Sequence, residues 1–157
     1  MATAYISMGQ HHGDVKWRGD ISCGSSGNSA SGNNLIANYF DGIFLWYSNN
    51  NIASGNTVRG NGEAGIWLYI SSNNIVFHNN FTNNYLEADN SEGSSTNTWD
   101  DGYPSEGNCW SDHYGKDIHN GPYQNKSGSD GIGDTPYVGM TPLGGSALTR
   151  AHCSRVV

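Results

Sequence analysis

The 157-residue chain has few charged residues, few cysteines and no long hydrophobic run. Charged residues make up 13% and basic ones number seven, giving a formal charge of −7, so the basic surface that nucleic acid requires is missing. No stretch approaches the roughly 20 apolar residues of a membrane span, and no basic start followed by an apolar run marks a secretory signal. The cysteines, Cys23, Cys109 and Cys153, lack zinc-type spacing and are predicted to be unpaired thiols.

The chain is instead rich in glycine and asparagine, with 22 and 20 residues, and it contains a sequence repeat. The stretch DGIFLWYSNNNI, which begins at Asp41, is written again as AGIWLYISSNNI, which begins at Ala64, 23 positions later. A fixed period of 20–50 residues indicates a repeat architecture. Apolar and aromatic residues alternate within each unit, as in a strand, and Asn and Gly clusters between the units supply turns.

Short strands joined by turns at a constant spacing predict an all-β fold, a right-handed parallel β-helix of about three coils. Leucine-rich and helical repeats need leucines or a helical apolar spacing that this chain lacks. Asparagines recur every 23 positions and are expected to stack as hydrogen-bonded ladders at the bends. The three predicted columns are Asn28/Asn51/Asn74/Asn97, Asn33/Asn56/Asn79 and Asn38/Asn61/Asn84.

Alternation along the strands divides the repeated residues between the inside and the outside of the coil. Ile43 and Ile66, with Leu45 and Leu68, are predicted to stack in the interior. The residues between them are then expected on one outer face, where flat rings suit stacking against sugar rings. Packing against another domain or subunit is the alternative. The predicted carbohydrate-binding residues are Phe44, Trp46, Trp67 and Tyr69.

The segment that follows the repeats, Asn97 to Tyr137, contains the elements Trp99–Asp100, Gly107–Asn108, Trp110–Ser111–Asp112 and Asp130–Gly131–Ile132–Gly133–Asp134. With the repeats, it resembles the C-terminal coils and cap of NosD-like right-handed parallel β-helix proteins over residues 21–138. Cys109 and His113 stand where that family usually has tyrosine. We expect Trp99, Trp110, Tyr103 and Tyr114 to cover the open hydrophobic end of the last coil.

The resemblance divides the chain into four parts. Residues 1–20 are unassigned, 21–99 form the repeats, 100–138 form the cap, and 139–157 are a divergent tail. It also implies an extracellular, cell-surface or periplasmic protein, larger and with more coils, of which this chain is expected to be a fragment. The expected partners are polysaccharides or cell-surface components, with no nucleic acid and no membrane span in this chain.

Two stretches offer candidate metal ligands. Asp130 and Asp134, separated by Gly-Ile-Gly, resemble part of a calcium loop, although the earlier acidic positions of such a loop are absent. Calcium is therefore a possible cofactor, and capping of a turn is the alternative. Met8, His11 and His12 carry copper-type ligands but lie outside the resemblance, and an unstructured end is the expectation for them.

Paired carboxylates, as in β-helix polysaccharide enzymes, were sought in the repeat register. Asp41 aligns with Ala64 and Glu87, about 9.6 Å apart along the axis, but Asp41, Glu63, Glu87 and Asp89 are interpreted as solvated turn residues. The function expected is thus a non-catalytic exported repeat protein that binds carbohydrate or forms part of a cell surface. A fragment of a β-helix polysaccharide lyase or glycosidase is one alternative. The other, implied by the resemblance alone, is accessory work in copper-site assembly, to which NosD proteins are linked in nitrous oxide reductase.

Overall fold

The structure is a computed structural model that describes the backbone of residues 20–91, 93–105, 107–138 and 148–152. Within these ranges there is no helix, and hence none long and apolar enough to cross a membrane. The strands are short because turns with left-handed residues, such as Asn50, Asn73 and Gly55, interrupt them. They are β1 (Asp20–Cys23), β2 (Ser29–Ser31), β3 (Asn34–Ile36), β4 (Ile43–Trp46), β5 (Ile52–Ser54), β6 (Thr57–Arg59), β7 (Ala64–Tyr69), β8 (Ile75–Phe77), β9 (Asn80–Thr82), β10 (Leu86–Asn90), β11 (Cys109–Trp110), β12 (His119–Asn120), β13 (Lys126–Ser127), β14 (Ile132–Val138) and β15 (Leu148–His152).

Three parallel sheets form the walls of the molecule, and each coil contributes one strand to each wall. The sheet orders are β1-β4-β7-β10, β2-β5-β8 and β3-β6-β9-β11. Residues 23 apart are paired, for example Ile43 with Ile66 and Leu35 with Val58. The predicted parallel β-helix is therefore confirmed, with three coils in β2–β4, β5–β7 and β8–β10.

The interior is a set of stacked apolar columns. Ile43, Ile66, Leu45 and Leu68 are all buried members of one cluster, as predicted. Because parallel strands pair in register, equivalent side chains lie about 4.8 Å apart along the axis and pack against one another. A second column, from β3, β6 and β9, consists of Leu35, Val58 and Phe81.

The asparagine ladders are present in all three predicted columns. In each step one side-chain oxygen accepts both the backbone N–H and the side-chain amide of the asparagine one coil earlier. Asn51 donates to Asn74 Oδ1 from its backbone nitrogen at 2.9 Å and from Nδ2 at 3.0 Å. The same Nδ2 reaches back to the carbonyl of Ser25 at 3.2 Å. Buried polar groups at the bends are thus paired, at a net gain of about 1 kcal/mol for each hydrogen bond.

A serine column lies beside the first asparagine column and was not predicted. Ser48 N donates to Ser71 Oγ at 2.9 Å, and Ser71 N donates to Ser94 Oγ at 3.0 Å. Ser71 Oγ also bonds the carbonyl of Leu45 at 3.0 Å. Serine therefore fastens neighbouring coils in the same way as asparagine, with a shorter side chain.

The cap continues the interior column as a stack of rings. Trp110 in β11 pairs with Phe81, and the two ring centroids are 4.6 Å apart with planes at 8°. Tyr137 of β14 stacks on the other face of Trp110 at 4.3 Å and 7°. Trp99 is also buried, so the prediction for both tryptophans is confirmed. It is wrong for Tyr103 and Tyr114, which are 42% and 92% exposed, because Tyr137 occupies the place expected for them.

The 23-residue register slips by one residue at β10. Ala88, not Asp89, pairs with Ile66, and Asp89 pairs with Trp67. Ala64 likewise pairs with Leu86. The predicted alignment of Glu87 with Ala64, and through it with Asp41, is therefore wrong.

The acidic residues of the coils are also mostly buried, contrary to expectation. Asp41 is 0%, Glu87 3% and Asp89 8% exposed, and of the four only Glu63 lies at the surface. Glu87 accepts hydrogen bonds from Asn84 Nδ2, at 2.6 Å, and from Ser111 Oγ. It ends the Asn38/Asn61/Asn84 ladder at the cap, where another asparagine would stand if the repeat continued.

Cys109 is disulfide-bonded, which corrects the prediction of three unpaired thiols. It stands at the start of β11, the strand that adds the last rung to its sheet. A disulfide here ties down the element that carries Trp110. Such bonds persist in oxidising compartments such as the periplasm.

Reduction of this disulfide is expected to lower the free energy of unfolding by about 2–4 kcal/mol, the usual contribution of a native disulfide. Urea denaturation of the wild type with and without dithiothreitol measures the effect. The Cys109→Ser variant should match the reduced wild type and should not respond to dithiothreitol. Equal midpoints for oxidised and reduced protein would show that packing alone holds β11 in place.

Candidate functional site

The outer aromatic face is formed by Phe44 and Trp46 on β4 and by Trp67 and Tyr69 on β7. Their neighbours along each strand are the buried interior residues, so alternation turns these four rings outward. The predicted register is confirmed, since Phe44 pairs with Trp67 and Trp46 with Tyr69. None of the four belongs to the interior cluster.

The rings of the face differ in exposure. Trp46 is 42% exposed, Trp67 and Tyr69 are half-buried, and Phe44 is 5% exposed, which corrects the expectation that Phe44 is open to solvent. The Phe44 and Trp67 centroids are 4.8 Å apart, and those of Trp67 and Tyr69 are 5.8 Å apart. The indole of Trp67 is held by a hydrogen bond from Nε1 to Ser91 Oγ of 2.7 Å.

Tyr47 extends this face and was missed from the sequence. Simple alternation directs residue 47 inward, but its φ of 49° ends the strand in a left-handed turn. The side chain is 52% exposed, and its ring lies 5.9 Å from that of Trp46. The equivalent residue one coil later, Ile70, has the same left-handed conformation.

Asp89 borders the face at its cap end and was also missed. The register slip places it beside Trp67, where a constant 23-residue period would place Asn90. Its Oδ1 atom is enclosed and has no hydrogen-bond partner. Burial raises the pKa of Asp89, and no charge or hydrogen bond offsets that effect. An aromatic patch thus meets an uncompensated carboxyl group.

A serine, a histidine and an aspartate meet at the start of the cap but do not have triad geometry. Both Ser105 Oγ, at 3.4 Å, and Asp101 Oδ1, at 3.5 Å, approach the same nitrogen of His78, Nε2. The serine hydroxyl donates to Asp101 Oδ2 at 2.7 Å. In a hydrolytic triad the carboxylate holds the other ring nitrogen and the serine donates to histidine. These three side chains therefore hold the start of the cap, at Asp101 and Ser105, against His78, which directly follows β8.

The two predicted calcium ligands accept hydrogen bonds from nearby turns. Asp130 bonds Gly121 N at 3.0 Å, and Asp134 bonds the backbone N and ring Nδ1 of His119, both at 3.0 Å. Burial acts to raise the pKa of Asp134, but its hydrogen bonds with Ile118 and His119 outweigh this and lower it. Calcium at Asp130 and Asp134 stays a prediction, which a rise in melting temperature at millimolar calcium would support.

The donors that copper prefers are scattered in the part of the chain that the structure describes, and no group of three or more His, Cys, Asp or Glu side chains is placed to hold a metal there. His119 bonds Asp134, and Cys109 is oxidised. Burial lowers the pKa of His113, with the charge of Asp112 opposing it, and its enclosed Nε2 has no hydrogen-bond partner. This donor set does not fit copper. Met8, His11 and His12 lie outside the described residues.

A family model described as "Periplasmic copper-binding protein (NosD)" matches residues 16–115, which is nearly two thirds of the chain. The match includes the three coils, the outer aromatic face and the first part of the cap. No curated protein and no solved structure matches the chain. The periplasmic description supports the predicted location outside the cytoplasm. On this match, the chain belongs to the NosD family.

Proposed function

We propose that the protein is an exported accessory protein that binds a partner protein through its outer aromatic face. The proposal is carried by one observation, an ordered patch of rings on the coils that the NosD family model covers. Aromatic side chains fixed on a rigid sheet are the kind of anchor that dominates protein interfaces, because they bury large areas at a small entropic cost. The copper-site assembly implied by the family would then be the process in which this partner takes part.

The poor fit of the described residues to copper supports a docking function over a metal-carrying function. His78 and His119 lie in separate hydrogen-bonded groups, with His78 bonded to Asp101 and Ser105 and His119 to Asp134. A docking surface requires no metal ligand of its own. It requires contiguous, partly exposed side chains, which Trp46 and Tyr47 provide at 42% and 52% exposure.

The double variant Trp46→Ala and Trp67→Ala tests the proposal in cells that mature nitrous oxide reductase with this chain as the NosD component. We expect the copper content of the purified reductase to fall at least fivefold, since two central anchors are lost. The matched control is Ile52→Ala with Ile75→Ala, which removes two side chains of 39% and 37% exposure from another wall. Normal copper content in the aromatic variant, with normal protein levels, would overturn the docking function.

Carbohydrate binding by the same face is the second candidate, and the in-register rings favour it. Flat aromatic surfaces with nearby hydroxyls, such as Ser91 beside Trp67, suit a sugar ring and its hydroxyl groups. A polysaccharide ligand would make the protein a cell-surface component. Affinity electrophoresis with neutral and acidic polysaccharides tests this, and retardation that survives Trp46→Ala with Trp67→Ala would exclude the face.

A further inference from the structure

Asp89 is a carboxyl group on the outside of the coil that nevertheless has no partner. It lies on the outer wall of β10, paired in register with Trp67, and it is 8% exposed. Its Oδ1 is fully enclosed and accepts no hydrogen bond from any residue that the structure describes, so Oδ2 is the oxygen that a ligand can reach. Buried polar groups in native proteins are nearly always paired, so an exception calls for a functional explanation.

Burial of the unpartnered Asp89 carboxylate destabilises the protein when no ligand is bound. A buried carboxylate without a partner is unfavourable, and burial accordingly raises the pKa of Asp89. The other buried acids of the coils are engaged, since Asp41 Oδ1 accepts Ala64 N at 3.1 Å and Glu87 bonds Asn84 and Ser111. Asp89 therefore differs from its neighbours, and a ligand with donors or positive charge would remove the penalty.

The surroundings of Asp89 specify the ligand further. Trp67 uses its polar Nε1–H on Ser91 and packs one side of its ring against Phe44, which leaves the side toward Asp89 as its remaining binding surface. Indole faces attract cations, and a guanidinium forms a charge-assisted hydrogen bond with a carboxylate oxygen, here the Oδ2 of Asp89. A planar guanidinium can lie flat on a ring while an N–H at its edge bonds a carboxylate, whereas an ammonium group has no flat face and is more strongly hydrated.

We propose that Asp89 and Trp67 form a recognition site for an arginine side chain of a partner protein. The proposal rests on the docking function above and names the chemistry of the partner's contact. Charge favours it, since the chain carries a formal charge of −7. The site lies at the cap end of the outer aromatic face, so that Trp46 and Tyr47 provide the apolar part of one continuous interface.

The intact protein is titrated with the blocked peptide Gly-Arg-Gly, and the indole N–H signal of Trp67 is followed by NMR with ¹⁵N-labelled tryptophan. The Gly-citrulline-Gly peptide is the matched probe, because citrulline keeps the shape of arginine and lacks its charge. We expect saturable shifts with the arginine peptide and at least tenfold weaker binding of the citrulline peptide. Gly-Lys-Gly should also bind more weakly, since lysine has no flat group to lie on the indole.

Asp89→Asn should abolish the preference for arginine over citrulline. This variant is expected to fold, with a higher melting temperature at pH 7, because the uncompensated buried charge is gone. Since the folded-state pKa is raised, the difference in stability should disappear as the pH falls and the Asp89 carboxyl is protonated in both states. Glu63→Gln is the control, as it removes one surface carboxylate at another corner and should keep the preference.

Equal binding of the arginine and citrulline peptides, or a preference that survives Asp89→Asn, would overturn the site. Shifts of Trp67 with cellohexaose but not with the arginine peptide would also overturn it and favour the carbohydrate candidate. If Trp46→Ala with Trp67→Ala impairs copper-site assembly while no peptide preference exists, docking stands and the arginine contact is wrong. If the preference exists and assembly is unaffected, the arginine site stands and the docking function in copper-site assembly is wrong.

Discussion

Trp110→Ala is expected to lower the free energy of unfolding by about 3–5 kcal/mol, which is the usual cost of removing a large buried aromatic side chain. Trp110 is 1% exposed and is stacked between Phe81 and Tyr137 at 4.6 and 4.3 Å. Removal of the indole leaves a cavity between the last coil and the cap. Phe81 and Tyr137, which both stack on Trp110, then lose that contact. Urea denaturation followed by far-UV circular dichroism measures the change.

Tyr114→Ala is the matched control for this experiment. Tyr114 lies four residues along the same cap segment but is 92% exposed, so its removal should change stability by no more than about 0.5 kcal/mol. If the two variants unfold at the same urea concentration, the ring stack does not contribute to the cooperative unit. A separate early transition in Trp110→Ala alone would show that the cap unfolds before the coils.

Asn56→Ala is expected to cost about 3 kcal/mol or more, although it removes only a small polar group. Asn56 is 1% exposed, and its Oδ1 accepts two hydrogen bonds from Asn33, at 2.9 and 3.1 Å. Its Nδ2 donates to Asn79 Oδ1 at 2.8 Å and to the carbonyl of Ala30 at 3.0 Å. Alanine would leave partners unpaired on both adjacent coils, at about 1–3 kcal/mol for each buried group.

Two further variants isolate the ladder from the general effect of losing an asparagine. Asn80→Ala removes an exposed side chain whose Oδ1 accepts the hydroxyl of Thr82 within the same strand, and it should change the melting temperature little. Asn56→Asp keeps the shape but replaces the donating amide by an oxygen that faces Asn79 Oδ1. A melting temperature for Asn56→Asp equal to that of the wild type would contradict the ladder.

The coils could be predicted from the sequence because the same side-chain contacts recur every 23 residues. Each interior position sees the same neighbours in every coil, so Ile43 and Ile66, or Leu45 and Leu68, are subject to the same packing constraint. The asparagine columns recur for the same reason, since a stacked amide satisfies the turn backbone of the next coil. Period and residue type together were sufficient to assign both the fold and the register of β4 to β7.

The cap could not be predicted in detail because the period fails there. Asn79 donates to Asn108, which lies 29 residues later. The connection is therefore six residues longer than the 23-residue period. Tyr137 then fills the column from a strand that the repeat does not contain. Nothing in the local sequence distinguishes Tyr137 from the exposed Tyr114, because the difference arises from the path of the chain.

The candidate site was predicted in part. Alternation was sufficient to assign Trp46, Trp67 and Tyr69 to the outside of the wall. The burial of Phe44 and the position of Asp89 depend on the surroundings and on a one-residue slip between Asn84 and Leu86. The slip gives the side chains of β10 new neighbours, and the 23-residue spacing, which resumes by Ser94 and Asn97, conceals it.

The amide ladders give the solenoid a polarity, because every hydrogen bond between two asparagines of a row runs from the donor to the next asparagine toward the cap. At the cap the side-chain amides that end the rows donate to other acceptors, such as the Glu87 carboxylate and the carbonyl of Trp99. At the opposite end, the side-chain Oδ1 atoms of Asn28, Asn33 and Asn38 receive no hydrogen bond from the residues that the structure describes, although their backbone carbonyls do. The two ends of the described coils are therefore chemically unlike, and whatever stacks onto the first coil in the same register, from this chain or another, must supply N–H groups in three rows.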